Sequence, residues 1–397
     1  MKIGIYSQPS GPVLGGTDVA VAVLAEALAD SHAVEVLHHA EQLSAEQLGA
    51  FSGTDLSRVT LRRVSRTSRP DHEPLNPYSR LRGERRREAE ISEGYDLFIP
   101  FTHEPPPFCH ARYGLISVLF PTSSPLHRDG RTPTTLWGAA RRMYSALEWS
   151  RRLGSYHGSV AISNYTREWT RRRWGVDSAV VYPPTESPGR SAEKESLILS
   201  IGRFAAKGFV KCQAELVHTF KRLPARGWRY VSAGAVATVP ADQAYLAAVR
   251  DSAGPRTDIQ IAGNVPRSRV RELYAQASIF WHAAGWTNAI NDPSFNEHFG
   301  ISTVEAMSYG AVPVVINRGG QPEIVEHGIS GFVWNDEREL VEYTLALMDD
   351  SDLLHRMSEA ARQRAQHFRR PQYVNRFRQV IDDLMNGTLN ASSGEAA

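Results

Sequence analysis

Cysteine is nearly absent from the chain: Cys109 and Cys212 are the only two in 397 residues. Such a pair offers neither metal-ligand spacing nor a disulfide framework, as expected of a protein in a reducing cytosol. Charge of one sign is missing too. Lys and Arg number 45 against 43 Asp and Glu, a formal net charge of +2, which argues against a general nucleic-acid binder. No apolar run approaches the ~18–20 residues that span a bilayer. The amino terminus, MKIGIYSQPSG, reads as a short strand and turn rather than a signal peptide, so the expected location is the cytoplasm. No G-x-G-x-x-G follows that strand, which counts against a standard dinucleotide fingerprint. The one Asp-x-Asp, Asp350-Ser351-Asp352, falls between two late helical stretches, where Asp352 reads as an N-cap. Neither a metal nor a cofactor is expected. The polar tail from Gly387 to Ala397 is expected to be disordered.

What is present is a long alternation of short apolar strands and helical patterns. It predicts α/β architecture, with parallel sheets covered by helices. Strands are expected at Lys2–Tyr6, Val34–Leu37, Thr60–Val64, Leu97–Pro100, Leu115–Phe120, Ser159–Ile162 and Ala179–Tyr182. The first helix is expected at Thr17–Ala29. The Pro- and Gly-rich run Pro183–Gly189 then reads as a hinge or linker. A second series follows at Leu197–Gly202, Arg229–Ala233, Ile259–Ala262, Ile279–His282 and Val312–Ile316. Helices Asp352–Phe368 and Gln372–Met385 close the chain. The length suits two domains of ordinary size, here 1–185 and 186–366, each doubly wound. Open α/β sheets bind ligands beyond their strand carboxyl ends, so the ligand is expected between the two.

Residues 297–334, EHFGISTVEAMSYGAVPVVINRGGQPEIVEHGISGFVW, say most about function. Glu297 sits at or just before a helix N-terminus, and Glu305 about two turns inside. A helix N-terminus carries free N–H groups and about half a positive charge, so it favours an anion such as phosphate. Gly300 lets backbone approach a ligand closely. Two carboxylates that accept hydroxyl hydrogen bonds, beside a phosphate-friendly helix end, are what a nucleotide-sugar needs.

This block resembles the Glu-x7-Glu signature of the retaining glycosyltransferases of family 4. The following Gly319-Gly320-Gln321-Pro322-Glu323-Ile324-Val325 and His327-Gly328…Gly331-Phe332 match the same family's pattern. The resemblance implies the GT-B fold, two Rossmann-like domains facing across a cleft. The N-terminal domain lies on the acceptor side and the C-terminal domain on the donor side, with helix 367–386 packing back on the former. It further implies transfer of a hexosyl-type sugar from a UDP- or GDP-linked donor to an acceptor hydroxyl, with retained configuration and without metal. The acceptor would be a carbohydrate, a glycolipid or a small molecule.

Roles follow residue by residue from the resemblance. Glu305 resembles the glutamate that holds the ribose, and Glu297 the one beside the donor sugar. Phe299, Gly300 and Ile301 supply backbone contacts. Gly15-Gly16, between the first strand and first helix, resembles the glycine loop that touches the donor diphosphate. Arg203, leaving a strand in Ser200-Ile201-Gly202-Arg203-Phe204, can clamp a diphosphate bidentately. The family pairs it with a lysine, and two compete here. Lys207-Gly208 looks like the family's Lys-Gly but lies close to Arg203. Lys211 has the family's spacing from Phe220 and is favoured. Asn264 and Val265, like Gly234, stand where the family brings backbone to the nucleobase. Arg203 and Lys211 would neutralise the leaving diphosphate, replacing a cation.

The chain departs from the family at the end of the strand Leu115–Phe120, where many members carry a histidine near the transferred sugar. Phe120-Pro121-Thr122 stands there instead. His103, ending the preceding strand, and His127, after the Pro-rich turn, are the nearby substitutes, and His103 is the one assigned a catalytic place. Arginine clusters run through the first half (Arg62-Arg63, Arg80, Arg82, Arg85–Arg87, Arg141-Arg142, Arg151-Arg152, Arg171–Arg173), with Trp137, Trp149, Trp169 and Trp174 among the later ones. They can serve peripheral membrane contact or an anionic acceptor, or pair with Glu84, Glu88, Glu90 and Glu148. Two rival readings remain: a GT-B-like nucleotide-sugar epimerase, and a catalytically silent nucleotide-sugar-binding subunit.

Overall fold

A computed structural model describes residues 1–7, 14–64, 88–123, 136–186, 192–208, 210–224, 227–287 and 292–389. The chain divides into two compact units. One is Met1–Pro184 with Arg370–Ala397, the other Thr185–Arg369. Each is built on one parallel sheet.

The first unit holds β1 (Lys2–Ser7), β2 (Ala33–His38), β3 (Val59–Arg63), β4 (Leu97–Thr102), β5 (Tyr113–Val118), β6 (Gly158–Ala161) and β7 (Ala179–Val180). Their order in the sheet is β3-β2-β1-β4-β5-β6-β7, with every pairing parallel. Both faces are covered, so β1 and β4 read as nearly continuous apolar runs rather than as alternation. Gly4 in β1 leaves room for Tyr95, whose ring carbons lie 2.9 Å from where a Cβ would stand. Helix Gly16–Ala29 buries Val19 through Ala25 and Leu28. Helix Arg370–Met385 places Tyr373, Phe377, Val380, Ile381 and Leu384 on one buried stripe. It docks in this unit: Tyr373 donates to the Ala20 carbonyl at 3.0 Å, and Phe377 stacks on Phe101 at 6.1 Å. The chain stays packed through Leu389, which lies against Gly158; residues 390–397 lie outside the described part.

The second unit holds β8 (Glu195–Ile201), β9 (Arg229–Gly234), β10 (Ile259–Gly263), β11 (Ala277–His282), β12 (Val312–Ile316) and β13 (Phe332–Trp334). The order is β10-β9-β8-β11-β12-β13, again parallel throughout. Counted from β8, this is the strand order 3-2-1-4-5-6 of dinucleotide-binding folds. The strand order reverses between the parallel neighbours β8 and β11, and ligands bind beyond the carboxyl ends at such a switch point. In the first unit the corresponding point lies between β1 and β4. At the core of the second, Phe220, Tyr230 and Trp281 form an aromatic cluster with centroids 5.5–6.4 Å apart.

Two helix boundaries differ from expectation. The helix after Glu297 starts only at Ile301 and ends at Ser308, so Glu305 is just over one turn inside it, not two. Gly300 at φ 128° delays the start. Asp350, not Asp352, caps the next-to-last long helix, accepting from the Leu353 N–H at 2.8 Å. β13 is short, and the sequence pattern does not reveal it.

Candidate active site

The switch point of the second unit begins where β8 ends. Gly202 carries no Cβ because the Lys211 stem crosses there: Lys211 Cγ would lie 2.8 Å from it. Gly234, ending β9, fits against the Gly202 carbonyl for the same reason. Buried Gln213 pins this turn. Its amide donates to the Gly202 and Arg203 carbonyls at 3.3 and 3.2 Å, and its oxygen accepts from the Tyr245 hydroxyl at 3.0 Å. Arg203 and Lys207 point into solvent, while Lys211 turns inward.

Lys211 reaches Glu297. Its Nζ pairs with Glu297 Oε2, and that same oxygen lies 3.0 Å from His282 Nε2. His282 ends β11, the other strand of the switch point, and is only 4 % exposed. Burial works to raise the Glu297 carboxyl, but the Lys211 charge and the His282 hydrogen bond outweigh it and hold the group well below its ordinary value. Burial pushes His282 down, against the pull of Glu297, so the imidazole is neutral at pH 7.

The Glu297 loop is held by residues some twenty positions later. Gly320 N–H donates to the Glu297 carbonyl at 2.8 Å. A Cβ on Gly319 would collide with that carbonyl, and one on Gly320 with the Phe299 backbone. Fully buried Gln321 donates to the Phe299 carbonyl at 3.1 Å and accepts from Thr303 at 2.9 Å. Its amide lies 2.1 Å from where a Gly300 Cβ would stand. The pair Gly319-Gly320 and Gln321 thus template Glu297, Phe299, Gly300 and Ile301 at the mouth of helix Ile301–Ser308.

Glu305 occupies a second polar cluster. It accepts from the Tyr274 hydroxyl at 3.0 Å and lies 3.5 Å from Arg267, which also pairs with Glu186 at 2.9 Å. Arg271 meets Glu186 at 2.8 Å. These side chains line a narrow recess with Val270 and Tyr309. Burial raises the Glu305 carboxyl, opposed mainly by Arg267.

Other expected site residues hold local structure. Asn264 adopts the left-handed region at φ 55°. Its N–H donates to the Gly234 carbonyl at 2.7 Å and its Oδ1 accepts from Val236 at 2.8 Å, tying β9 to β10. Val265 is packed against the unit's core. In the first unit Gly15 caps helix Gly16–Ala29, and its N–H donates to the Asp18 carboxylate at 2.8 Å. An internal carboxylate therefore already occupies that N–H. His103 is half-buried just beyond β4; burial lowers its pKa, opposed by a backbone hydrogen bond at Phe120. His127 lies outside the described residues.

Most described clustered arginines have internal partners. Arg152 pairs with Glu88 at 2.7 Å and Glu148 at 3.4 Å. Arg171 and Arg172 pair with Glu168, and Arg173 donates to the Pro121 carbonyl at 2.7 Å. Arg80, Arg82 and Arg85–Arg87 lie outside the described residues.

Sequence reasoning missed His282, Gln213, Arg267, Tyr274 and Glu186 as parts of these clusters. His282 left one signal, a lone polar residue closing the apolar run of β11. The others sit in helices or a turn and become neighbours of the site only through the fold.

Comparison with known proteins defines the class first. The Anabaena protein HepE, solved in complex with UDP, superposes with a TM-score of 0.66 at 15 % identity, covering 96 % of this chain and 100 % of that one. The shared fold is GT-B. The family model "Glycosyl transferases group 1" matches residues 185–364, and "Glycosyltransferase Family 4" matches residues 14–186. The chain belongs to glycosyltransferase family 4. Among relatives, the GDP-Man:Man(3)GlcNAc(2)-PP-Dol alpha-1,2-mannosyltransferase of Dictyostelium discoideum is 26 % identical over 62 % of this chain and 51 % of its own length. The GDP-mannose:cellobiosyl-diphosphopolyprenol alpha-mannosyltransferase of Komagataeibacter xylinus is 27 % identical over 50 % of this chain and 49 % of its own. The matches thus span about half of each relative.

Proposed function

We propose that the chain is a retaining, metal-independent glycosyltransferase that moves a hexosyl unit from a UDP- or GDP-linked donor to an acceptor hydroxyl. The observation that carries this reading is the Lys211–Glu297–His282 cluster at the switch point of the second unit, beside the N-terminus of helix Ile301–Ser308. Lys211 and the N-terminus of that helix both favour the charge that a leaving diphosphate gathers. Fixed groups of this kind stabilise developing charge without reorganising, which is what a bound cation would otherwise do.

Arg203 and Lys211 take the diphosphate, with Lys207 as the competing lysine. Glu297 accepts a hydroxyl of the transferred sugar, and Glu305 takes the ribose. The backbone of Phe299, Gly300 and Ile301 completes the contact, and Asn264 and Val265 border the base. Gly15-Gly16 and His103, in the first unit, keep the roles that the family resemblance implies for them. The GDP-mannose and UDP in the names of the relatives and of the HepE complex support a nucleoside diphosphate donor. The polyprenol- and dolichol-linked substrates named for the relatives support a lipid-linked acceptor. Exposed Trp137, Met143, Tyr144 and Leu147 on helix Leu136–Leu153 support peripheral membrane contact.

A thermal-shift panel of UDP, GDP and their sugars tests the donor reading. A ligand that binds only the native state raises the unfolding temperature by mass action. A shift with one base and none with adenosine diphosphate is expected. No shift with any nucleotide sinks the reading.

A further inference from the structure

Glu297 has two partners on one oxygen, and they differ in kind. Lys211 approaches from a loop on a flexible stem and is about one-fifth exposed. His282 is anchored differently: it ends a central strand of the sheet and is 4 % exposed. Glu297 Oε1 accepts no hydrogen bond among the described residues, so one face of the carboxylate stays open to a ligand hydroxyl.

The His282 tautomer follows from its surroundings. Nε2 lies 3.0 Å from Glu297 Oε2. A carboxylate only accepts, so Nε2 must carry the proton. Nδ1 is buried and meets no partner among the described residues. A proton there would be a buried donor with no acceptor, which is the costlier arrangement. The neutral ring with its proton on Nε2 fits both observations.

We propose that His282 is a positioning residue that keeps Glu297 ionised and oriented toward the transferred sugar when Lys211 releases it to bind the donor diphosphate. This rests on the donor reading above. Without donor, Lys211 and His282 share Oε2. With donor bound, the lysine turns to phosphate and His282 alone fixes the carboxylate, leaving Oε1 for the sugar. A lysine that stayed on Glu297 would offer the diphosphate only its remaining N–H groups and a charge already offset by the carboxylate. A carboxylate held by that lysine alone would be left buried and unanchored as soon as the lysine moved.

The variants His282→Leu and His282→Gln separate the hydrogen bond from the packing, since Gln can present an N–H close to where Nε2 stands. The readouts are calorimetric binding of bare UDP and GDP, and steady-state release of nucleoside diphosphate from UDP-glucose or GDP-mannose. His282→Leu is expected to lower kcat by about ten- to a hundredfold, the effect of losing a hydrogen bond to a charged group. Its affinity for the bare nucleotide should stay within about twofold, because the sugar-side carboxylate is not used there. His282→Gln should recover most of kcat. Unchanged turnover in His282→Leu overturns the proposal, and so does equal impairment of both variants. Long-range proton–nitrogen NMR of the wild-type chain gives a reading that needs no variant to fold. A proton on Nε2 supports the proposal, and one on Nδ1 overturns it. If wild-type protein binds neither UDP nor GDP, the donor reading falls and the catalytic part of this proposal with it. That outcome is distinct from a chain that binds nucleotide yet ignores the loss of His282.

Discussion

Lys211 and Glu297 lie 86 residues apart in sequence and form one ion pair, Nζ against Oε2, where β8 and β11 diverge. Each is about four-fifths buried, so neither charge is well solvated once the other is removed. Lys211→Ala leaves Glu297 to His282 alone and should lower stability by about 1–3 kcal/mol, less than for a fully buried pair because solvent still reaches it. Arg203→Ala removes an exposed side chain and should change stability by about 0.5 kcal/mol or less. Both should weaken nucleoside diphosphate binding by about tenfold or more through loss of charge-assisted hydrogen bonds. Thermal unfolding and calorimetric titration check the two halves. If only Lys207→Ala weakens binding, Lys211 is not the phosphate lysine.

The two glutamates should respond differently to amide substitution. Glu305 sits with Tyr274 and Arg267, away from the Lys211 cluster. The ribose it would hold is common to ground and transition states, so Glu305→Gln should weaken binding of bare UDP or GDP with a smaller change in kcat. Glu297→Gln should bind the bare nucleotide nearly normally and lose kcat. Titration of both variants with sugar-free nucleotide decides this. Equal losses of affinity would mean that the roles are not divided.

Turnover should persist in excess EDTA. On the proposed reading, Arg203, Lys211 and the N-terminus of helix Ile301–Ser308 would supply the charge that a cation otherwise brings. Loss of nucleoside diphosphate release on chelation, restored by Mg²⁺ or Mn²⁺, would contradict metal-independent transfer.

Gly300→Ala should be severe. The position combines φ 128° with a site where a Cβ would stand 2.1 Å from the Gln321 amide. The alanine therefore suffers backbone strain and displaces the side chain that templates Phe299 and Thr303, with a loss of about 2–4 kcal/mol. Gly202→Ala is the informative contrast. Its backbone is unstrained, and the nearest atoms its Cβ would meet belong to the Lys211 stem, from 2.8 Å. It should fold, lose little stability and bind nucleoside diphosphate less well. Equal stability losses in the two variants would contradict this division.

The sequence made the strands legible because the sheets are buried on both faces: an apolar run such as Leu97–Thr102 announces itself whatever its neighbours. It made Glu297 and Glu305 legible through a motif, and Gly300 through the need for close backbone approach. It did not show that Glu297 precedes its helix by four residues, because that offset is set by the left-handed turn at Gly300 and by the distant Gln321. His282, Arg267 and Tyr274 were hidden for a related reason. Each sits in an element whose pattern is complete without it, and only strand order brings it to a carboxylate. β13 is too short for any period to register.

Lys194 offers a pH test of packing independent of catalysis. It donates to the Ala277 carbonyl at 2.7 Å and the Tyr274 carbonyl at 3.3 Å, capping the C-terminal end of helix Arg267–Gln276. Burial, with a smaller push from Arg362, lowers its pKa from 10.5 to about 7. The unfolded chain therefore holds a proton that the folded chain gives up between these two values. Stability must rise with pH across that window, by up to about 1.4 kcal/mol per pH unit, and the penalty is fully present below the folded value. Lys194→Met removes the titration. Thermal unfolding between about pH 7.5 and 9.5 should show the wild type gaining on the variant as pH rises. A constant difference across that range would mean that Lys194 keeps an ordinary lysine pKa in the folded chain.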